Sequence, residues 1–126
     1  MLKYLKTEQV ITYHEEMVEK FGGLHGIRDL GLLESAMHMP RAAAFGQDLH
    51  VSLYDKAAAY LFHIVKNHPF YDGNKRTGAF CTYVFLSVNG VKIDFPDERY
   101  EELVVSVADG KADKQQIAQF FESWKK

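Results

Sequence analysis

The chain has 126 residues, of which 47% are hydrophobic and 13% aromatic, enough for one compact core but too few for two independently stable domains. Fifteen basic and 17 acidic residues give a formal net charge of -2, which does not favour binding to nucleic acid or to an anionic membrane. The single cysteine, Cys81, excludes an internal disulfide and a cysteine-rich zinc site. We therefore expect one cytoplasmic domain over residues 1–126, with no membrane span and no direct nucleic-acid partner.

The first third of the chain predicts two helices and a loop. Hydrophobic residues at helical spacing favour a first helix capped by Thr7 and continuing to Phe21. Asp29 can cap a second, shorter helix that continues to Met39. Residues 40–51 show no clear period and are expected to form a loop that could cover a site.

Two strongly apolar helices follow. Ser52 and Asp55 form a capping-box pattern ahead of the first, which should end near Asn67. The second begins at Asn74 or Lys75, and its later half is apolar almost all round. Such a helix should lie centrally in the core.

The C-terminal part predicts two more helices. One begins near Asp97 and continues to about Ala108, and the last is capped by Asp113. The alternating run 91–95 is too short to form a sheet alone. The sequence thus predicts an all-α fold, a compact bundle of about six helices with a loop between two central ones.

That loop contains the residues whose side chains could bind a ligand or take part in a reaction. Residues 67–78 hold His, Asp, Asn, Lys and Arg side chains, which core packing does not require. Gly73, Asn74 and Lys75 form a predicted phosphate cradle, since a glycine before a first helical turn lets free N–H groups approach an anion. Lys75 and Arg76 add positive charge beside them, so a polyphosphate is the expected ligand.

Two further side chains complete the predicted chemistry. Asp72 provides a hard oxygen ligand where Mg²⁺ would bridge phosphate oxygens, and His68 can act as general base toward a hydroxyl. Taken singly, each residue of the segment has a simpler explanation as a turn residue, a helix cap, a surface charge or a structural histidine. Only their combination favours a site.

The run from His68 to Arg76 reads His-Pro-Phe-Tyr-Asp-Gly-Asn-Lys-Arg. It strongly resembles the Fic family signature, HPFx(D/E)GN(G/K)R, and most closely its death-on-curing (Doc) toxin branch. Four further segments resemble that branch in the same order: 22–29, 33–36, 74–77 and 89–91. The resemblance covers essentially the whole chain and implies the Fic helical fold.

The resemblance also implies a role for each position of the motif. His68 would be the catalytic base, with Lys75 and Arg76 as further catalytic residues, Asp72 as the Mg²⁺ ligand and Phe70 as the anchor of the loop in the core. The phosphates of ATP would be bound by Gly73, Asn74, Lys75 and Arg76.

Two departures from the common Fic pattern narrow the expected reaction. Lys75 stands where AMP-transferring members usually have a second glycine, and Ala79 where they usually have a second arginine. Both departures are typical of the Doc branch, whose members resemble kinases. The resemblance implies a toxin that passes the γ-phosphate of ATP to a Ser/Thr hydroxyl of a translation protein similar to elongation factor Tu, arresting translation.

Inhibition of the expected toxin activity should come from another protein. Many Fic proteins carry an inhibitory pattern, and its nearest match here, residues 12–16, is followed by Met17, which does not complete it. The resemblance therefore implies a small antitoxin that inhibits in trans by docking in a groove. The 40–51 loop is where substrate or antitoxin would approach, unless it is a plain connector.

Three other interpretations stay open at this point. The first is transfer of AMP instead of phosphate to a protein hydroxyl, and the second is a catalytically inactive Doc-like binding domain. A histidine metal site is the weakest, because the six histidines show no i,i+4 pair on a helix.

Overall fold

The computed structural model describes residues 1–126 and consists mainly of six α-helices, which confirms the all-α prediction. Their bounds are α1 Thr7–Phe21, α2 Leu30–His38, α3 Leu53–Asn67, α4 Asn74–Val88, α5 Asp97–Ala108 and α6 Lys114–Ser123. A 3₁₀ helix, Met39–Arg41, extends α2, and a small hairpin pairs β1, Ala43–Ala44, antiparallel with β2, Gln47–Asp48. None of the helices combines the length and the apolar character that a membrane span requires.

The central element of the bundle is α3. It packs against α2, α4, α5 and α6, and an unbroken run of its residues, 56–61, is buried. The prediction that α4 is equally central is wrong for its outer face, where Phe80, Tyr83 and Val88 stay 37%, 48% and 44% exposed. Helix α1 covers this face only in part, through Tyr13 against Phe80, and Phe80 and Tyr83 border a groove.

Side-chain caps fix three of the six helix starts. Three predicted caps are confirmed by an oxygen that accepts a backbone N–H in the first turn: Asp29, Ser52 and Asp113. The prediction for Thr7 is wrong, because Thr7 is already helical and Lys6 is the N-cap. The Lys6 N–H donates to Gln9 Oε1 over 2.8 Å, so the side chain of Gln9, in the first turn of α1, pairs with the backbone donor of the N-cap residue.

The segment 40–51 is more ordered than a plain loop. It begins in the 3₁₀ helix and continues through the hairpin, which corrects the prediction of irregular structure. Lys56 of α3, only 3% exposed, anchors it: Nζ donates to Asp48 Oδ2 over 3.1 Å and to the carbonyls of Pro40 and His50. A buried ammonium needs such partners, so this tertiary contact holds the hairpin against the bundle.

A polar cluster ties the start of α6 to α3. Lys114 Nζ lies 3.1 Å from Nε2 of His50 and 3.1 Å from Nε2 of His63, so it can donate to both rings while they are neutral. Burial, the Lys114 charge and the neighbouring His50 lower the pKa of His63 to about 4. Burial followed by the Lys114 charge also lowers the pKa of His50.

This cluster predicts a loss of stability in mild acid. The folded pKa of His63, about 4, lies below its ordinary value of 6.5, so the unfolded chain binds the extra proton between those pH values. The contribution of neutral His63 to the free energy of unfolding is complete above pH 6.5 and is lost as the pH falls toward 4. We expect His63→Gln, which keeps an acceptor for Lys114, to show a shallower decline of the urea-unfolding free energy over this window. Exposed His38→Gln should retain the wild-type decline, and identical slopes for all three proteins would contradict the assignment.

Candidate functional site

A short segment, residues 68–73, reverses the chain between α3 and α4. Two of its residues have left-handed backbone conformations: His68, with φ 52° and ψ 55°, directly follows α3, and Gly73, with φ 78° and ψ 16°, directly precedes α4. Glycine adopts this region freely, whereas it costs other residues about 1–2 kcal/mol. Contacts from the surrounding structure must therefore hold His68 in place.

The side chain of Asn74, only 4% exposed, closes the loop from inside. Its Oδ1 accepts from Phe70 N and its Nδ2 donates to Phe70 O, each over 2.9 Å, and Nδ2 also lies 3.1 Å from His68 Nδ1. The two Phe70 bonds fix which amide atom is oxygen, so Nδ2 donates to Nδ1 and neutral His68 carries its proton on Nε2. The Asn74 side chain is thus engaged within the loop, which leaves the backbone N–H of Asn74 for the predicted phosphate cradle.

The underside of the loop rests on α1. Phe70 is fully buried, and its ring stacks on the His14 ring with centroids 3.8 Å apart and an interplanar angle of 6°. His14, 1% exposed, also donates from Nε2 to the Asp72 carbonyl over 2.8 Å. His14 was not among the predicted site residues, and its support of the loop is a finding of the structure. The available signal was a histidine on the buried stripe of a helix.

The outer side of the loop is bound by the segment 22–29. The backbone N–H groups of Arg28 and Asp29 both donate to Pro69 O, over 2.7 and 3.0 Å, and Leu24 N donates to Asp72 Oδ2 over 2.8 Å. The Arg28 guanidinium reaches the carbonyls at the end of α3. The segment is one of those that resemble the Doc branch, and that resemblance gave Arg28 no role.

The loop forms one wall of a cavity of about 1100 Å³. All six predicted site residues line it: His68, Asp72, Gly73, Asn74, Lys75 and Arg76. The opposite wall belongs to α5, which contributes Asp97, Tyr100 and Glu101. The structure therefore brings the predicted residues together on one ligand-sized surface.

The first turn of α4 leaves its backbone donors free at this surface. The first N–H to bond back to the turn is that of Thr77, which donates to Gly73 O over 2.9 Å, and the N–H groups of residues 74–76 donate to no protein acceptor. No side chain caps this end of α4, and neither Lys75 nor Arg76 takes part in an ion pair. Free amides, a helix N-terminus and two cations together suit an anion.

Asp72 is suited to hold a divalent cation with help from a ligand. Its carboxylate is exposed and accepts one hydrogen bond, from Leu24 N to Oδ2, so Oδ1 has no protein partner. The structure contains no group of three or more His, Cys, Asp or Glu side chains arranged to hold a metal ion. One carboxylate beside a phosphate cradle fits Mg²⁺, which commonly takes its remaining ligands from water and phosphate.

A second groove, of about 550 Å³ and mostly hydrophobic, adjoins the cavity. Arg76 and Ala79 line both, and the Arg76 guanidinium carbon lies 4.5 Å from the centre of the Phe21 ring. This groove also contains Phe80 and Tyr83, the half-exposed aromatic residues of α4. A molecule bound in the groove would touch the same arginine that faces the phosphate cradle.

Comparison with known proteins agrees with these features. Residues 4–86 match the model of the Fic/DOC family, a range that ends within α4. The chain is 41% identical over 120 residues to Toxin Doc of Mycolicibacterium smegmatis, with 94% of this chain and 90% of that protein covered. It is 28% identical over 117 residues to Protein kinase doc of Escherichia phage P1, with coverages of 93% and 91%.

The loop geometry predicts that Asn74 is needed for stability. Asn74→Ala leaves the buried N–H and C=O of Phe70 unpaired, so we expect the urea-unfolding free energy to fall by about 1–3 kcal/mol. Asn89→Ala is the matched control, because Asn89 bonds mainly exposed groups at the other end of α4 and should cost less. We call the three bonds of the Asn74 side chain to Phe70 and His68 the Asn74 clamp. A fall in the unfolding free energy of under about 0.5 kcal/mol for Asn74→Ala would contradict its role.

Proposed function

The chain belongs to the Fic/DOC family, and from that premise we propose that it is a cytoplasmic toxin that phosphorylates a protein. The proposed reaction transfers the γ-phosphate of ATP to a serine or threonine hydroxyl of a translation protein similar to elongation factor Tu, which arrests translation. The observation that carries the proposal is the free first turn of α4, with its two unpaired cations, in one cavity with His68 and Asp72. Phosphoryl transfer depends on such positioning and charge stabilisation.

In this proposal the N–H groups of residues 74–76, Lys75 and Arg76 bind the phosphates of ATP. Arginine suits bidentate contacts to phosphate oxygens, whereas lysine adds a compact charge. Because no protein carboxylate neutralises either cation, both remain available to the ligand. Asp72 would hold Mg²⁺, which when bound neutralises charge on the phosphate oxygens.

His68 acts as the general base. It takes the proton of the target hydroxyl while the hydroxyl oxygen bonds to the γ-phosphorus and the bond to the β,γ-bridging oxygen breaks, which releases ADP. In the free protein the unprotonated nitrogen of His68, Nδ1, already accepts from Asn74. This bond must break before the base acts, either to free Nδ1 or because the proton moves from Nε2 to Nδ1, where it would face the Asn74 N–H donor. We propose that substrate binding brings about this change.

Two positions favour transfer of phosphate over transfer of AMP. Lys75 brings a side chain and a charge to the cradle at a position where a glycine would leave space for a phosphate. Ala79 lines the same cavity and offers no second guanidinium to grip the far end of a triphosphate. Both features support a nucleotide bound with its γ-phosphate over the first turn of α4.

We also propose that a small antitoxin inhibits the toxin from the adjoining apolar groove. Met17, the residue that breaks the inhibitory pattern of many Fic proteins, lines this groove together with Phe21 and Arg76. An amphipathic segment bound there would bury the exposed faces of Phe80 and Tyr83 and contact the phosphate-binding arginine. The groove thus lies where an inhibitor could act on the site.

The reaction is tested with ATP labelled separately at the α and γ positions. Purified protein is incubated with bacterial lysate and Mg²⁺, and we expect γ-label, but no α-label, on a protein that mass spectrometry identifies as an elongation factor. Label only from the α position would show AMP transfer. The absence of both labels, with ATP bound, would favour an inactive binding domain.

Variants of the same assay test the assigned roles. His68→Ala should lower γ-label by about 10²- to 10⁴-fold, whereas His38→Ala, an exposed histidine outside the cavity, should not. The double variant Lys75→Gly, Ala79→Arg should raise the share of α-label. If His68→Ala is as toxic on expression as the parent protein, catalysis is not the purpose of the loop.

A further inference from the structure

The strained backbone of His68 needs stabilising contacts, and the residues of the proposed mechanism do not provide them. Its left-handed conformation ends α3, where the last carbonyls of a helix have no intrahelical partner. A glycine usually occupies such a position, and a histidine there is disfavoured by about 1–2 kcal/mol. The Asn74 clamp fixes the ring of His68 and the backbone of Phe70, but it makes no bond to the backbone of His68.

Arg28 makes the missing contacts. Its Nε donates to His68 O over 2.7 Å, its Nη2 donates to Asn67 O over 3.0 Å, and its backbone N–H donates to Pro69 O over 2.7 Å. One residue thus binds three consecutive carbonyls across the end of α3. Its positive charge also complements the negative end of the helix.

Arg28 lies outside the cavity. It is not among the residues that line the phosphate cradle, whereas His68 is. Its guanidinium contacts the loop from the outer side, through the carbonyls of Asn67 and His68. The cradle itself is held independently, by Asn74 from inside and by His14 from below.

We propose that Arg28 is a positioning residue that holds the backbone of His68 in its left-handed conformation and so aims the imidazole into the cavity. The catalytic consequence rests on the proposed function, in which His68 is the base. Losing Arg28 should misdirect the base while leaving the phosphate cradle intact. The expected signature is a lower kcat with an unchanged KM for ATP.

The conformational part is tested without any activity. In ¹³C,¹⁵N-labelled protein, the Cα and Cβ chemical shifts of His68 report its backbone conformation, and we expect Arg28→Ala to move both away from left-handed values. Arg99→Ala is the matched control, because Arg99 is exposed, lines neither cavity and makes no bond to the loop. Unchanged His68 shifts in a folded Arg28→Ala protein would overturn the proposal.

The catalytic part compares Arg28→Ala, Arg28→Lys and the control Arg99→Ala in the γ-phosphate transfer assay. We expect Arg28→Ala to lower kcat by about 10- to 100-fold, as small misplacements of a reacting group do. Arg28→Lys keeps one donor and should recover part of the loss, and it replaces Arg28→Ala in both arms if the alanine variant does not fold. A rise in KM for ATP with kcat unchanged would contradict a positioning role. If wild-type protein transfers no phosphate, the proposed function fails, while the chemical shifts still decide the role of Arg28.

Discussion

The Asn74 amide is the interaction on which the candidate site depends. The chain must reverse between two packed helices within six residues, 68–73, and still present a histidine and a free helix N-terminus to the same cavity. By bonding both backbone groups of Phe70 and the ring of His68, one buried side chain ties the end of α3 to the first turn of α4. In the free protein the aromatic anchor, the proposed base and the anion cradle therefore keep a fixed relation to one another.

The site retains features that lower stability, and each of them leaves groups available to the proposed ligand. His68 keeps a strained backbone, α4 begins without a side-chain cap, and Lys75 and Arg76 have no acidic partner. The carboxylates of Asp97 and Glu101 face the same cavity from α5 without pairing to these cations. The surrounding packing of α3 against four other helices holds this open electrostatic arrangement in place.

Much of the fold was predictable because helical periodicity and caps are local signals. Asp29, Ser52 and Asp113 mark helix starts through bonds that span only three residues. The hairpin in 40–51 was not predictable, since it depends on Lys56 reaching it from α3. The motif located the site, but His14 and Arg28 act on it across 58 and 40 positions of sequence, distances that periodicity does not address. The roles assigned to the motif residues and the single domain over 1–126 stay predictions.

The most direct test of the account is a crystal structure of the protein with Mg²⁺ and a nonhydrolysable ATP analogue. We expect the terminal phosphate within hydrogen-bond distance of the N–H groups of residues 74–76, beside Arg76 and with the cation on Asp72. The His68 ring should face that phosphate. An α-phosphate over those amides, or a nucleotide bound outside the cavity, would contradict it.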